Sequence, residues 1–491
     1  MNRCAVALQS NKSMKIKVFT LLLIVAVLPV WAQKADRSQV PATEPVRNLV
    51  LPSMETFLLK NGMKVYYMPK KGVPLVSVSL SFNAGSAMDP ADKTGLAGFT
   101  AALMKDGAGT RDALALSDEI DFLGISLGTG AASEEAEVSL FTPVSKLDAA
   151  LDLFRDVALK PRFEAKEWER RQREALVSLA QAHDEARIIA STAFMQLLYG
   201  PNHPYARRAT EASIKAIKIQ DIQAFYRQYY TAANGYFVVV GDVTKEQIKA
   251  KLDARFGLWK GGTRQTVKIP DAAPTKGRTI VLIDKPGAAQ TELRFGSVAV
   301  KRNTPDYLPL VVMNTILGGS FTSRLNQNIR ETHGYAYGAN SGFNMPRAAI
   351  GHFQAGAGVQ TNVTDKAVTE FMKELTNIKS VTADEMNRAR NYEALSYPEN
   401  FASVSAIAGN VGDKIYHNLP DDYFNTYIAK VLGVSQTDVE RVAKTYINPD
   451  QLVIVMVGDL SKIKEGVEAL NLGPIKVMTK EDVLGAIPVM Q

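Results

Sequence analysis

The chain of 491 residues is 46% apolar and 22% charged, with 34 glycines and 22 prolines, which excludes collagen-like, low-complexity and largely disordered classes. Setting aside residues 1–32, whose four cations Arg3, Lys12, Lys15 and Lys17 face no acid, lowers the net charge from +7 to +3, so no nucleic-acid footprint remains. One cysteine, Cys4, rules out disulfide scaffolds, cysteine-rich zinc sites and C-x-x-C redox pairs.

From Met14, an alternative start, two lysines precede an apolar run from Val18 to Val30, and Val30-Trp31-Ala32 precedes a polar stretch. The run is too short to span a bilayer and reads as a secretory signal cleaved after Ala32. This predicts a periplasmic or otherwise secreted protein whose mature form lacks Cys4. No later window is apolar enough to span a membrane, so no stable membrane insertion is expected after signal removal. Residues 33–52 read as a polar, proline-containing arm.

Val76–Phe82 (VSVSLSF) alternates strictly and predicts a strand with one face on a core and the other on water or a cavity. Leu96–Gly107 reads as a helix ending in glycine, and Lys146–Val157, with Leu147, Leu151, Phe154 and Val157 on one face, as an amphipathic helix. His183-Asp184-Glu185 points around a helix rather than converging and reads as a solvated face, whereas His203, in Pro201–Tyr205, reads as a structural histidine in a rigid turn.

An internal repeat sets the architecture. Asp221–Asp242 aligns without a gap to Asp438–Asp459, a constant offset of 217 residues that matches Asp221 to Asp438, Tyr229 to Tyr446 and both Val-Gly-Asp ends. Each unit reads as helix, turn and buried strand. Trp259 to Arg278, rich in Gly, Pro and Lys, reads as a linker. The expected organisation is a signal over 1–32, a first domain over 33–258, a linker over 259–278 and a second domain over 279–491. The fold class is α+β: a tandem of two homologous domains, each a mostly antiparallel sheet with helices packed on one face.

In the second half, Leu308–Gly319 reads as a helix ending in glycine and Asp365–Leu375 as an amphipathic one. Thr322–His333 reads as a helix with Thr322 or Ser323 as N-cap and Gly334 just past its end. A strand is expected next, with Tyr335, Tyr337, Ala339, Ser341 and Phe343 on one side. Arg330 and Tyr337 then stand seven residues apart across a helix-to-strand turn. A guanidinium and a phenol so placed suit donation to a peptide carbonyl, and equally suit an interface arginine beside a half-buried aromatic.

Elsewhere the expected chemistry is missing. The five histidines, His183, His203, His333, His352 and His417, never fall at i and i+4, so no helical two-histidine zinc site forms. No G-x-S-x-G elbow appears, and the runs GGSF at Gly318 and GAGT at Gly107 lack phosphate-loop spacing.

Three segments together resemble the pitrilysin (insulinase-type) zinc metallopeptidases, in their short-chain, processing-peptidase-like branch, over essentially the whole mature length. They are LKNGMKVYYMPKKGVPLVSVSLSFNAGSAMDPADKTGLAGFTAALMKDGAGT, then YGPNHPYARRATEASIKAI with YYTAANGYFVVVGDVT, then LGGSFTSRLNQNIRETHGYAYGANSGF. The family's inverted motif His-x-x-Glu-His would follow Thr94–Ala97, where Gly98, Ala101 and Ala102 stand instead. Its third zinc ligand would fall near Ser178-Leu179, where there is no carboxylate. The resemblance therefore implies no metal and no catalytic residue in this chain alone. The family's substrate-binding arginine and tyrosine coincide with Arg330 and Tyr337, and its glycine-rich stretch with Gly318-Gly319-Ser320. What this implies is the non-catalytic subunit of a heterodimer, with a homologous partner carrying zinc and peptide substrates enclosed between the two. The alternative is a zinc-free peptide-binding or assembly protein with the same fold.

Overall fold

The computed structural model describes residues 49–488; the signal reading, Cys4 and most of the 33–52 arm lie outside them. In the first half, strands β1 (Glu55–Leu58), β2 (Lys64–Pro69), β3 (Leu75–Phe82), β6 (Ser126–Ala131), β7 (Ala136–Pro143) and β8 (Gly235–Gly241) make one sheet in the order β1-β2-β8-β3-β7-β6. A separate small ladder joins β4 (Gly107–Ala108) to β5 (Arg111–Asp112). In the second half, β9 (Thr279–Asp284), β10 (Gln290–Val298), β11 (Asn340–Asn344), β12 (His352–Gln360), β13 (Val453–Gly458) and β14 (Ile475–Met478) form a sheet in the order β11-β12-β10-β13-β9-β14.

The duplication is exact in topology: β2-β8-β3-β7-β6 corresponds to β9-β13-β10-β12-β11. The parallel pair falls at the same place, β2 with β8 and β9 with β13, and the other ladders within these five strands are antiparallel. Only the added edge strand differs, β1 in one sheet and β14 in the other. Asp221 and Asp438 match because each sits in the first turn of its helix and accepts the N-cap amide, from Lys218 at 2.8 Å and from Ser435 at 3.1 Å.

Val76, Val78, Leu80 and Phe82 of β3 are fully buried against Leu147, Leu151 and Phe154 of the helix Leu147–Leu159, while Ser77, Ser79 and Ser81 border a cavity on the opposite face. The strict alternation in sequence is thus the two faces of one strand.

Helices pack on one face of each sheet, and the other face receives a helix from the other half. Ala186–Tyr199 lies on β10 and β13, and Val404–Tyr416 lies on β3 and β8. The two helices end on Tyr199 and Tyr416, again 217 residues apart. The span 260–278 has no helix or strand, yet it is strapped to both halves. Gln265 donates to Asn234 at 2.8 Å, Asp271 accepts the Ile350 amide at 2.8 Å, and the Pro270 carbonyl meets His203 Nε2 at 2.7 Å. His203, stacked on Tyr199, is structural as its turn suggested. His183 is not on a solvated face: it is 3% exposed, with its ring nitrogens 2.9 Å from the Leu179 and Gly485 carbonyl oxygens. The helix Ala165–Ala182 ends beneath the C-terminal segment, which its local sequence could not reveal.

Candidate functional site

The degenerate motif lies on the helix Leu96–Met104. Both carboxylate oxygens of Asp89 cap its start, accepting the Gly95 and Ala97 amides at 2.8 Å each. Burial pushes the Asp89 carboxyl up to about 6 against the pull of these amides. Gly98 is exposed, with open space where a side chain would project, Ala101 is buried and Ala102 is partly buried. Phe99 packs edge-on against Trp168 of the helix Ala165–Ala182, which also carries Ser178, exposed near its end. None of Gly98, Ala101, Ala102 and Ser178 offers a nitrogen or carboxylate ligand, so these positions do not fit zinc. Among the described residues, no group of three or more His, Cys, Asp or Glu is placed to hold a metal ion.

The second-half constellation is built on a tight chain path. Gly318 is buried, and a Cβ there would lie 2.4 Å from the Ser341 amide nitrogen, so only glycine lets β11 pass this closely. Gly319 is exposed, and the Ser320 hydroxyl donates to the Thr315 carbonyl at 3.0 Å. Ser323 is the N-cap of the helix that follows, which begins as an α-turn over Arg324–Asn326 and widens to π geometry over Gln327–Thr332. Gly334, at φ +65, ends it as expected. Arg324 clamps Glu385 through two hydrogen bonds of 2.6 and 2.8 Å. Burial alone would raise the Glu385 carboxyl, but Arg324 and the Thr382 amide take it down to about 2.

Arg330 lies in the last turn. Its guanidinium is 4.6 Å from the centre of the Phe321 ring and 3.3 Å from Glu331. The expected strand through Tyr335–Phe343 does not form as one piece: Ala336 makes a single bridge to Val359, Tyr337 sits in a bend, and β11 begins at Asn340. The cause is local. Tyr335 is held by the Ile329 carbonyl and by stacking on His333, which turns the chain before the ladder starts. Tyr337 is thereby left 92% exposed, and the Arg330 side chain is partly exposed.

Residues 64–200 match the family model "Insulinase (Peptidase family M16)", and residues 216–392 match "Peptidase M16 inactive domain". The chain is 22% identical over 409 residues to the non-peptidase homolog YmxG of Helicobacter pylori, covering 82% of this chain and 93% of that protein. It is 22% identical over 441 residues to the probable mitochondrial-processing peptidase subunit beta of Arabidopsis thaliana, covering 85% and 80%. Among solved structures, the peptidase M16 inactive domain from Pseudomonas fluorescens matches at a TM-score of 0.76 and 28% identity, over 83% of this chain and 98% of that one. The periplasmic protease PqqL from Escherichia coli matches in fold at a TM-score of 0.72 and 16% identity, over 86% of this chain and 47% of that one.

Proposed function

This chain belongs to the M16, insulinase-type (pitrilysin) peptidase family in an inactive form, and from that membership we propose that it is the non-catalytic subunit of a heterodimeric metallopeptidase. Its homologous partner would carry the zinc and the general base, and peptides would be degraded or processed in a chamber shared by the two. This chain would supply Arg330 and Tyr337, with Gly318, Gly319 and Ser320 shaping the floor beside them.

The observation that carries this reading is the contrast between the two halves. The motif positions in the first half hold no ligating atom, whereas the second half carries an exposed Tyr337 and a partly exposed Arg330 after a glycine-rich turn. A phenol hydroxyl and a guanidinium can each donate to a peptide carbonyl, fixing its position and stabilising negative charge as it develops on that oxygen. We also propose secretion to the periplasm with cleavage after Ala32, and the domain limits 33–258 and 279–491 around the 259–278 linker. The name of the Helicobacter relative favours the second reading, a zinc-free peptide-binding or assembly protein.

Reconstitution separates the two. The purified chain is mixed with an M16 homologue bearing His-x-x-Glu-His from the same genome, then followed by size exclusion and by cleavage of a fluorogenic peptide. The accessory-subunit reading expects one complex, and cleavage only when both chains are present. A complex that leaves the partner's activity unchanged supports the assembly role instead.

A further inference from the structure

Helix exchange seals the two sheets unequally. On the second sheet, Phe194 seats against Gly296, where a Cβ would come within 2.6 Å of its ring. Around it Val281, Val453 and Val455 are at most 2% exposed. By ladder register, Ser81 and Tyr236 of the first sheet take the places of Gly296 and Val453. By the 217-residue offset, Val411 takes the place of Phe194 and Gly412 that of Met195. Ser405, Ala408, Gly409 and Gly412 of the helix Val404–Tyr416, over the hydroxyl-bearing face of β3 and β8, line a cavity of about 990 Å³. The fold closes the same interface with apolar packing in its other half, so architecture alone does not require this cavity.

Its wall carries Glu134, Glu135, Glu137 and Asp413. Glu134 is 2% exposed; its Oε1 accepts the Tyr205 hydroxyl at 2.6 Å and the Ala348 amide at 3.2 Å. Its Oε2 has no hydrogen-bond partner, and Arg347 Nε stands 3.7 Å away. The terminal nitrogens of Arg347 are engaged elsewhere, by Asn83 and by the Tyr416 carbonyl, and its guanidinium lies 4.4 Å from the Tyr416 ring centre. Burial pushes Glu135 up to about 7 and Asp413 above the usual carboxylate range. Glu134, closed to solvent and paired with Arg347, is out of reach of an entering group, so Glu135, Glu137 and Asp413 are the carboxylates that the wall offers.

We propose that this cavity binds an organic cation, an alkylammonium or guanidinium group, held by Glu135 against the ring of Tyr236, whose hydroxyl donates to Glu135 at 3.2 Å. The β3 serines supply further polar contacts. The cavity lies on the opposite face of β3 from the helix Leu96–Met104, so it is separate from the degenerate motif, and it does not rest on the roles given to Arg330 and Tyr337.

Calorimetric titration of the purified chain without any partner tests this, using agmatine as a free cation and a capped Ala-Arg-Ala tripeptide as a side-chain source. Saturable agmatine binding is expected, weakened about tenfold or more by Glu135→Gln. Gly409→Leu should abolish it, since a Cβ at Gly409 meets nothing within 4 Å and the larger side chain fills the cavity. A thermal melt checks that both variants fold. Tripeptide binding as tight as that of agmatine identifies a peptide side chain as the occupant; agmatine binding alone identifies a free amine. Absence of binding by both, equal binding of glutarate, or agmatine binding untouched in folded Gly409→Leu overturns the proposal.

Discussion

The Tyr199 hydroxyl meets Nδ1 of His352 at 3.0 Å, joining the last residue of the first half's exchanged helix to the first residue of β12 in the second sheet. Phe194 packs edge-on against the same imidazole, with ring centres 5.9 Å apart. Burial holds His352 neutral and takes its pKa down to about 4 from an ordinary 6.5. Between these values the unfolded chain binds the proton and the folded chain does not, so stability at this site falls as the pH drops from 6.5 to 4. Glu135, raised to about 7, acts in the opposite sense: its contribution is complete below 4.5 and is lost as the pH rises through 7. His352→Gln should therefore flatten the acid side of a Tm-against-pH curve relative to wild type. An unchanged slope would show that the imidazole titrates freely.

Exchange of helices makes each half incomplete without the other. Phe194→Ala opens a void under the second sheet and should cost about 3–5 kcal/mol, read by denaturant unfolding. The loss should appear as a shift of a single transition. Residues 49–258 and 279–488 expressed separately should each expose an uncovered sheet face and remain unfolded or aggregated, which circular dichroism and size exclusion will show. Two independently folded halves would contradict the exchange.

The zinc positions give a compositional prediction. With Gly98, Ala101, Ala102 and Ser178 offering no ligand, the dialysed chain should carry far less than one zinc by elemental analysis. A stoichiometric zinc surviving dialysis would require ligands outside the motif.

The tight passage at Gly318 gives a conformational one. Gly318→Ala drives a methyl into the Ser341 backbone, and overpacking of this kind costs about 1–3 kcal/mol. Displacement of β11 should also weaken any peptide interaction at Tyr337, measurable by fluorescence anisotropy with a labelled peptide. Wild-type stability in that variant would show that the turn is looser than its geometry indicates.

Much of the fold was legible because its signals are local or periodic. The serine alternation of β3, the amphipathic face of Leu147–Leu159 and the repeated Asp221 and Asp438 all reappear as structure. Helix exchange was not legible, since nothing within Ala186–Tyr199 states which sheet it covers; the one available hint was Tyr199 and Tyr416 at the repeat offset. The strand expected through Tyr335–Phe343 failed because stacking of Tyr335 on His333 and its bond to Ile329 override alternation. At the candidate site, Arg330 and Tyr337 were visible through spacing and resemblance. Glu134 was not, because its partners Tyr205, Ala348 and Arg347 lie in a loop and in the other half of the chain, and neither was Asp89, whose cap reaches over six to eight residues instead of the usual two or three.

Turnover of the reconstituted pair decides whether Arg330 and Tyr337 serve a peptide held jointly with a zinc-bearing partner. Tyr337→Phe removes one hydroxyl from a side chain that is 92% exposed, so folding and assembly should survive. Turnover should fall about a hundred- to a thousandfold, as when a single oxyanion donor is lost. Arg330→Ala should act similarly, and Tyr335→Phe should leave activity near wild type. Full turnover by a properly assembled Arg330→Ala, Tyr337→Phe double variant would show that neither side chain serves the substrate.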